Sequence, residues 1–137
     1  MFFDTMPMFS DMFEFFEGGL SPRDHYAFAQ IASQMHDPNA MVDQLFLMTS
    51  GVMKNKGDPK GVGERAGIAF FNLAKWFDNK GQPYRISAMK SLQYALENYR
   101  VTEKEMFIQG ATEEQLISYM GNSSSPVSLK DVRVSVK

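Results

Sequence analysis

The stretch ERAGIAFFNLAKWFDNKGQPYRISAMKSLQYALENYR, residues 64–100, decides the fold. Read at helical spacing, Val62, Ala66, Ala69, Phe70, Leu73 and Phe77 fall on one face of a helix that Gly81 closes. Phe71 and Trp76 lie off that face, which predicts a helix covered on two sides. Pro83 then sits where a second helix can begin without losing a hydrogen bond. That helix carries Ile86, Met89, Leu92, Ala95, Leu96 and Tyr99. Connections this short, with no heptad seam, predict an irregular orthogonal bundle.

Upstream, NKGDPKGVGERAG at 55–67 reads as the clearest loop, with Gly57, Pro59, Gly61 and Gly63 close together and Gly67 allowing close helix packing. Three earlier helix starts share one grammar. Pro7 opens a stripe of Met8, Phe9, Met12, Phe13 and Phe16 that ends at Gly18 and Gly19. Ser21 and Pro22 open a second helix, with Asp24 in its first turn and Phe28, Ile31, Ala32 and Met35 along one side. Asp37 and Pro38 open a third, with a broad apolar face from Met41 to Met53.

Downstream, TEKEMFIQG and TEEQLISYMG echo each other at a ten-residue interval. Each pairs a Thr with a Glu or Gln three residues on, Thr102 with Glu105 and Thr112 with Gln115, which predicts two short helices opened by capping boxes. After the linker NSSSP, the stretch VSLKDVRVSVK alternates, with Val132, Val134 and Val136 on one side and Arg133, Ser135 and Lys137 on the other. A period of two in β-branched residues is a strand pattern, and a strand needs a partner for its backbone groups. A neighbouring subunit's sheet edge or residues 1–6 could supply one.

The expected fold class is therefore all-α. It is an irregular helical bundle of about five longer and two short helices, with an extended C-terminal tail that can add as a β-strand. Three segments follow: a Phe/Met-rich amphipathic helix at 1–20, a helical domain at 21–121, and a linker with tail at 122–137.

The chain has 137 residues, 44% apolar and 22% charged, enough for one domain with a real core. Its net charge of −2 gives no global attraction to nucleic acid or anionic lipid. Cysteine is absent, so disulfides, thiolate catalysis and Cys-based zinc sites are excluded. The first base is Arg23, and Asp4, Asp11 and Glu14 break the apolar run, so the N-terminus does not read as a signal peptide. A soluble protein of a reducing compartment, or of a virion, is expected.

Motifs that carry chemistry are sparse. Gly61, Gly63 and Gly67 resemble a phosphate loop only in spacing, since no strand precedes them and no Gly-Lys-Ser or Gly-Lys-Thr follows. His25 and His36 are eleven residues apart, about 16 Å along a helix, too far for one metal ion. No nucleophile elbow is present. No metal and no cofactor are predicted.

What remains is apolar surface at both ends. Residues 1–16 hold six Phe and four Met, beside four acids by Glu17 and no base. Met is pliable and Phe buries a large area, which suits insertion into a groove on another subunit. The acids argue against membrane insertion, because interfacial helices carry Lys and Arg on the polar face. The sequence thus predicts a non-catalytic structural or assembly protein acting on other protein subunits, in concrete form a small viral (phage) virion or assembly protein. Its contacts would be Phe2, Phe3, Phe9, Phe13 and Phe16 at the front and Val132, Val134 and Val136 at the back. The alternative is a nucleic-acid-associated regulator using Lys54, Lys56, Lys60 and Arg65 in the basic Gly-rich segment. A small enzyme whose site forms only in three dimensions is a third reading.

Overall fold

The structure is a computed structural model that describes residues 37–137. The helices predicted over 8–17 and 22–36 lie outside the described residues. The described chain is mostly helical, with three long helices, one short one and a single two-stranded sheet.

Helix α1 spans Pro38–Lys56. As predicted, Asp37 caps it, accepting a hydrogen bond from the Asn39 N–H at 2.9 Å, with proline in the first turn. Gly57 ends it in the left-handed conformation, φ 68°. Helix α2, Pro59–Lys80, starts two residues later. The predicted loop at 55–67 is thus corrected to a two-residue break followed by helix. Asp58 caps α2 by accepting from the Gly61 N–H at 3.1 Å, and Pro59 takes the first position. The glycines beyond serve packing instead of turning. Gly63 and Gly67 are buried in α2, where they let α3 approach.

Gly81, at φ 91°, leads into a 3-10 turn, Gln82–Tyr84, that holds Pro83. Helix α3, Arg85–Val101, then returns along α2, and these two helices share the most extensive interface of the fold. The two helices predicted from residues 64–100 are both present, and they pair as a hairpin at the centre of the described body. Phe71 is buried and Trp76 half-buried in addition to the main face of α2, so that helix is covered on more than one side.

The first of the two predicted short helices is a strand. Thr102 donates its hydroxyl to the Tyr99 carbonyl, closing α3 instead of opening a new helix, and Glu103 turns the chain at φ 59°. Strand β1, Met106–Gln109, follows. The capping grammar around Thr102 and Glu105 is real in sequence but loses to the alternation of Met106 and Ile108, which points both side chains inward. The second prediction holds. Helix α4, Glu113–Gly121, opens with a complete capping box between Thr112 and Gln115.

Strand β2, Arg133–Val136, pairs antiparallel with β1, setting Met106 opposite Val136 and Ile108 opposite Val134. Among the described residues the predicted strand finds its partner between α3 and α4 of its own chain; residues 1–6 lie outside the described residues. Glu105 and Lys137 extend the ladder, exchanging two backbone bonds of 3.2 and 3.0 Å.

One core joins all these elements. It holds Met41 and Leu45 of α1, Phe70, Leu73 and Phe77 of α2, Leu92 and Tyr99 of α3, and Leu116 and Tyr119 of α4. Leu129, Val132 and Val136 complete it from the tail. Each large side chain buried there contributes roughly 1.5–3 kcal/mol.

Candidate functional site

Two polar clusters tie the elements together. In the first, Asp78 in the last turn of α2 accepts from the Tyr119 hydroxyl at 2.8 Å and from the Leu129 N–H at 3.0 Å. Arg85, at the start of α3, stands 3.9 Å from Asp78 and lies over the Tyr119 ring, 3.7 Å from its centroid. Arg85 also donates to the Ser125 carbonyl at 3.3 Å. Four parts of the chain meet on this one carboxylate–guanidinium pair. Burial pushes the Tyr119 hydroxyl well above its ordinary range, and its bond to Asp78 adds to the shift.

In the second cluster, the Tyr94 hydroxyl donates to Asp43 at 2.5 Å and Lys90 reaches both carboxylate oxygens at 3.0 Å, so α1 is bound to α3. Phe46 stacks on Tyr94 at 4.1 Å between centroids. Burial, reinforced by Asp43, raises the Tyr94 pKa to about 12. Burial alone would raise the Asp43 pKa, but the bonds from Tyr94 and Lys90 outweigh it and hold the carboxyl below its ordinary value.

The sequence-predicted residues fall as follows. Phe2, Phe3, Phe9, Phe13 and Phe16 lie outside the described residues, as do His25 and His36. Val132 and Val136 are buried in the chain's own core and Val134 is half-buried. The body itself covers most of their apolar surface. The outer edge of β2 is partly capped as well. Lys75 Nζ donates to the Val132 carbonyl at 2.8 Å and the Tyr99 hydroxyl to the Val134 carbonyl at 3.3 Å. Burial raises the Tyr99 pKa to about 12.

The basic segment is largely helical. Lys54 lies in the last turns of α1, with Lys56 at its end, while Lys60 and Arg65 lie on α2. Lys60 pairs with Glu103 at 3.1 Å, and Glu64 with Lys104 at 2.9 Å. Lys54 and Arg65 are exposed.

Among the described residues no cluster of three or more His, Asp or Glu side chains could hold a metal ion. No described helix is long and apolar enough to cross a membrane. Among the described residues an open cleft of about 160 Å³ lies between α2 and β2, with Ile68, Phe71, Asn72 and Lys75 on one wall and Val132, Arg133 and Val134 on the other. Tyr99 forms part of its floor. A smaller pocket of about 110 Å³ lies between α3, β1 and α4, bounded by Leu96, Met106, Ile108 and Leu116.

Sequence reasoning missed the Asp78–Arg85–Tyr119 cluster and the α2–β2 cleft. A signal for the first was present. An acid in the last turn of a helix and a base in the first turn of the next both oppose the helix dipole. Such a pair, seven residues apart across a tight turn, belongs together. The cleft had no such signal, because its walls come from residues about sixty positions apart in sequence.

Comparison with known protein families, with curated proteins and with solved structures finds no match to this chain.

Proposed function

We propose that the chain is a non-catalytic structural or assembly protein that works through protein–protein contacts, in concrete form a small component of a virus particle or of its assembly. The observation that supports this reading is a contrast within one molecule. In the described body, the side chains with displaced titration (Asp43, Tyr94, Tyr99 and Tyr119) each make a bond that holds one element to another. Ahead of that body stands a segment with six Phe and four Met in sixteen residues. The adhesive role therefore belongs to Phe2, Phe3, Phe9, Phe13 and Phe16, and the terminal valines stabilise the body.

Light scattering on the full chain and on a chain lacking residues 1–17 tests this. The full chain forms an assembly and the shortened one is a folded monomer. Equal assembly by both overturns the reading.

A further inference from the structure

The cleft between α2 and β2 sets basic side chains beside an exposed apolar one. Arg65, Ile68, Asn72 and Lys75 recur along α2 at spacings of three, four and three, so they form one stripe, of which Ile68, Asn72 and Lys75 line the cleft. Ile68 is 49% exposed. Arg133 projects from the opposite wall, and no acid lines the cleft. Elsewhere on the body, Lys60, Lys90 and Lys104 each have a carboxylate partner. Arg65 and Arg133 have none among the described residues, and Lys75 retains donors beyond its one bond to Val132.

Charge is divided unevenly along the chain. Residues 1–36 carry five acids (Asp4, Asp11, Glu14, Glu17 and Asp24) against Arg23, a net −4. Residues 37–137 carry thirteen bases against eleven acids, a net +2. At 100° per residue, Asp11 and Glu17 border the two sides of the Phe/Met stripe predicted over 8–17. Ten residues of helix are about 15 Å long, the same as the run from Arg65 to Lys75. A volume of about 160 Å³ matches a single phenyl ring, for a cavity of about 150 Å³ is enough to bind benzene.

The geometry points to the α2–β2 cleft of one copy as the acceptor for residues 8–17 of a second copy. The apolar stripe lies on Ile68 and Phe71, one ring enters the cleft, and the bordering acids face Arg65, Lys75 and Arg133. This rests on the assembly reading above and adds the surface that completes it. Exchanged between two copies the contact closes a pair, and passed on in one direction it builds rings or filaments.

The absence of cysteine makes the test direct. Full chains carrying Met12→Cys, within the stripe, and Asn72→Cys are oxidised and run without reductant. Bonds between chains, seen as dimers and higher species, are expected; bonds within single chains only, or none, overturn the inference. In parallel, Arg65→Glu with Arg133→Glu, both at exposed positions, weakens self-association about tenfold at unchanged melting temperature. Adding Asp11→Lys and Glu17→Lys to that variant restores it. If removing residues 1–17 leaves association unchanged, the assembly reading itself fails. If that removal abolishes association but the charge reversal does not weaken it, only the acceptor site is wrong.

Discussion

Gly67 cedes the space of its absent side chain to the ring of Tyr99: a Cβ at that position would stand 2.7 Å from both Cδ1 and Cε1. One turn earlier, a Cβ on Gly63 would stand 2.7 Å from the Asn98 carbonyl oxygen. The α2–α3 hairpin is thus seated backbone against backbone. The Tyr99 ring held there sends its hydroxyl on to β2.

Replacing Gly63 or Gly67 by Ala should therefore destabilise the protein, against the usual trend in a helix. Helix propensity favours Ala by about 1 kcal/mol. Overpacking against a buried ring or a backbone carbonyl costs about 1–3 kcal/mol, and more where nothing can shift. Gly51→Ala in α1, where a Cβ meets nothing within 4 Å, is the control and should raise stability by up to about 1 kcal/mol. Thermal melts of the three variants read opposite signs; a gain at Gly67 would contradict the packing.

Deleting residues 126–137 removes Leu129, Val132 and Val136 from the core and leaves β1 without a partner. At roughly 1.5–3 kcal/mol per side chain, the loss approaches the 5–15 kcal/mol total of a small domain. Urea denaturation should show a collapsed midpoint or no cooperative transition. A truncated chain that melts like the parent would mean that the tail is not part of the body.

Asp78 should be the most sensitive polar position. Asp78→Ala strands the Tyr119 hydroxyl, the Leu129 N–H and the Arg85 charge in a site from which water is largely excluded, a loss of about 3–5 kcal/mol. Tyr119→Phe removes one bond and keeps the ring under Arg85, costing about 1–2 kcal/mol. Equilibrium unfolding of the two variants gives the ratio directly.

Stability should fall in alkali. Folded Tyr94 and Tyr99 titrate near 12, above the ordinary value of 10 for an unfolded tyrosine. The unfolded chain loses these protons first. Their contribution is complete below pH 10 and disappears as pH rises through about 12. Asp43 acts in the opposite sense, since its lowered pKa stabilises the fold above pH 3.8 and that support is lost with further acidification. Denaturant midpoints across pH 8–12, for the parent and Tyr94→Phe, check the alkaline limb; the variant should lose stability less steeply.

The two helices of the hairpin were legible because residues 64–100 carry periodic apolar side chains between clear stops, and local pattern and tertiary burial agree there. Asp37 with Pro38, and Thr112 with Gln115, were legible for the same reason, since a cap is a local device. Residues 55–67 misled because glycine has two uses that look alike in one dimension. It can free the backbone to turn, as Gly57 does, or let another helix come close, as Gly63 and Gly67 do. Residues 102–110 misled because a capping pattern competed with a four-residue strand whose partner lies about twenty-five positions away. The alternation shows Val134 and Val136 as strand residues, with Val132 just ahead of the strand, but the side that covers them depends on that unseen partner.

The glycine seam also bears on kinship. Surface residues of this body can drift with little penalty, and much of its core can exchange one aliphatic for another of similar volume. The spacing that joins Gly63 and Gly67 to Asn98 and Tyr99 tolerates no such exchange, because backbone geometry leaves no room for a larger side chain. A distant cousin would be detectable first by the two glycines and the Tyr99 ring, held at constant separation in an otherwise altered text.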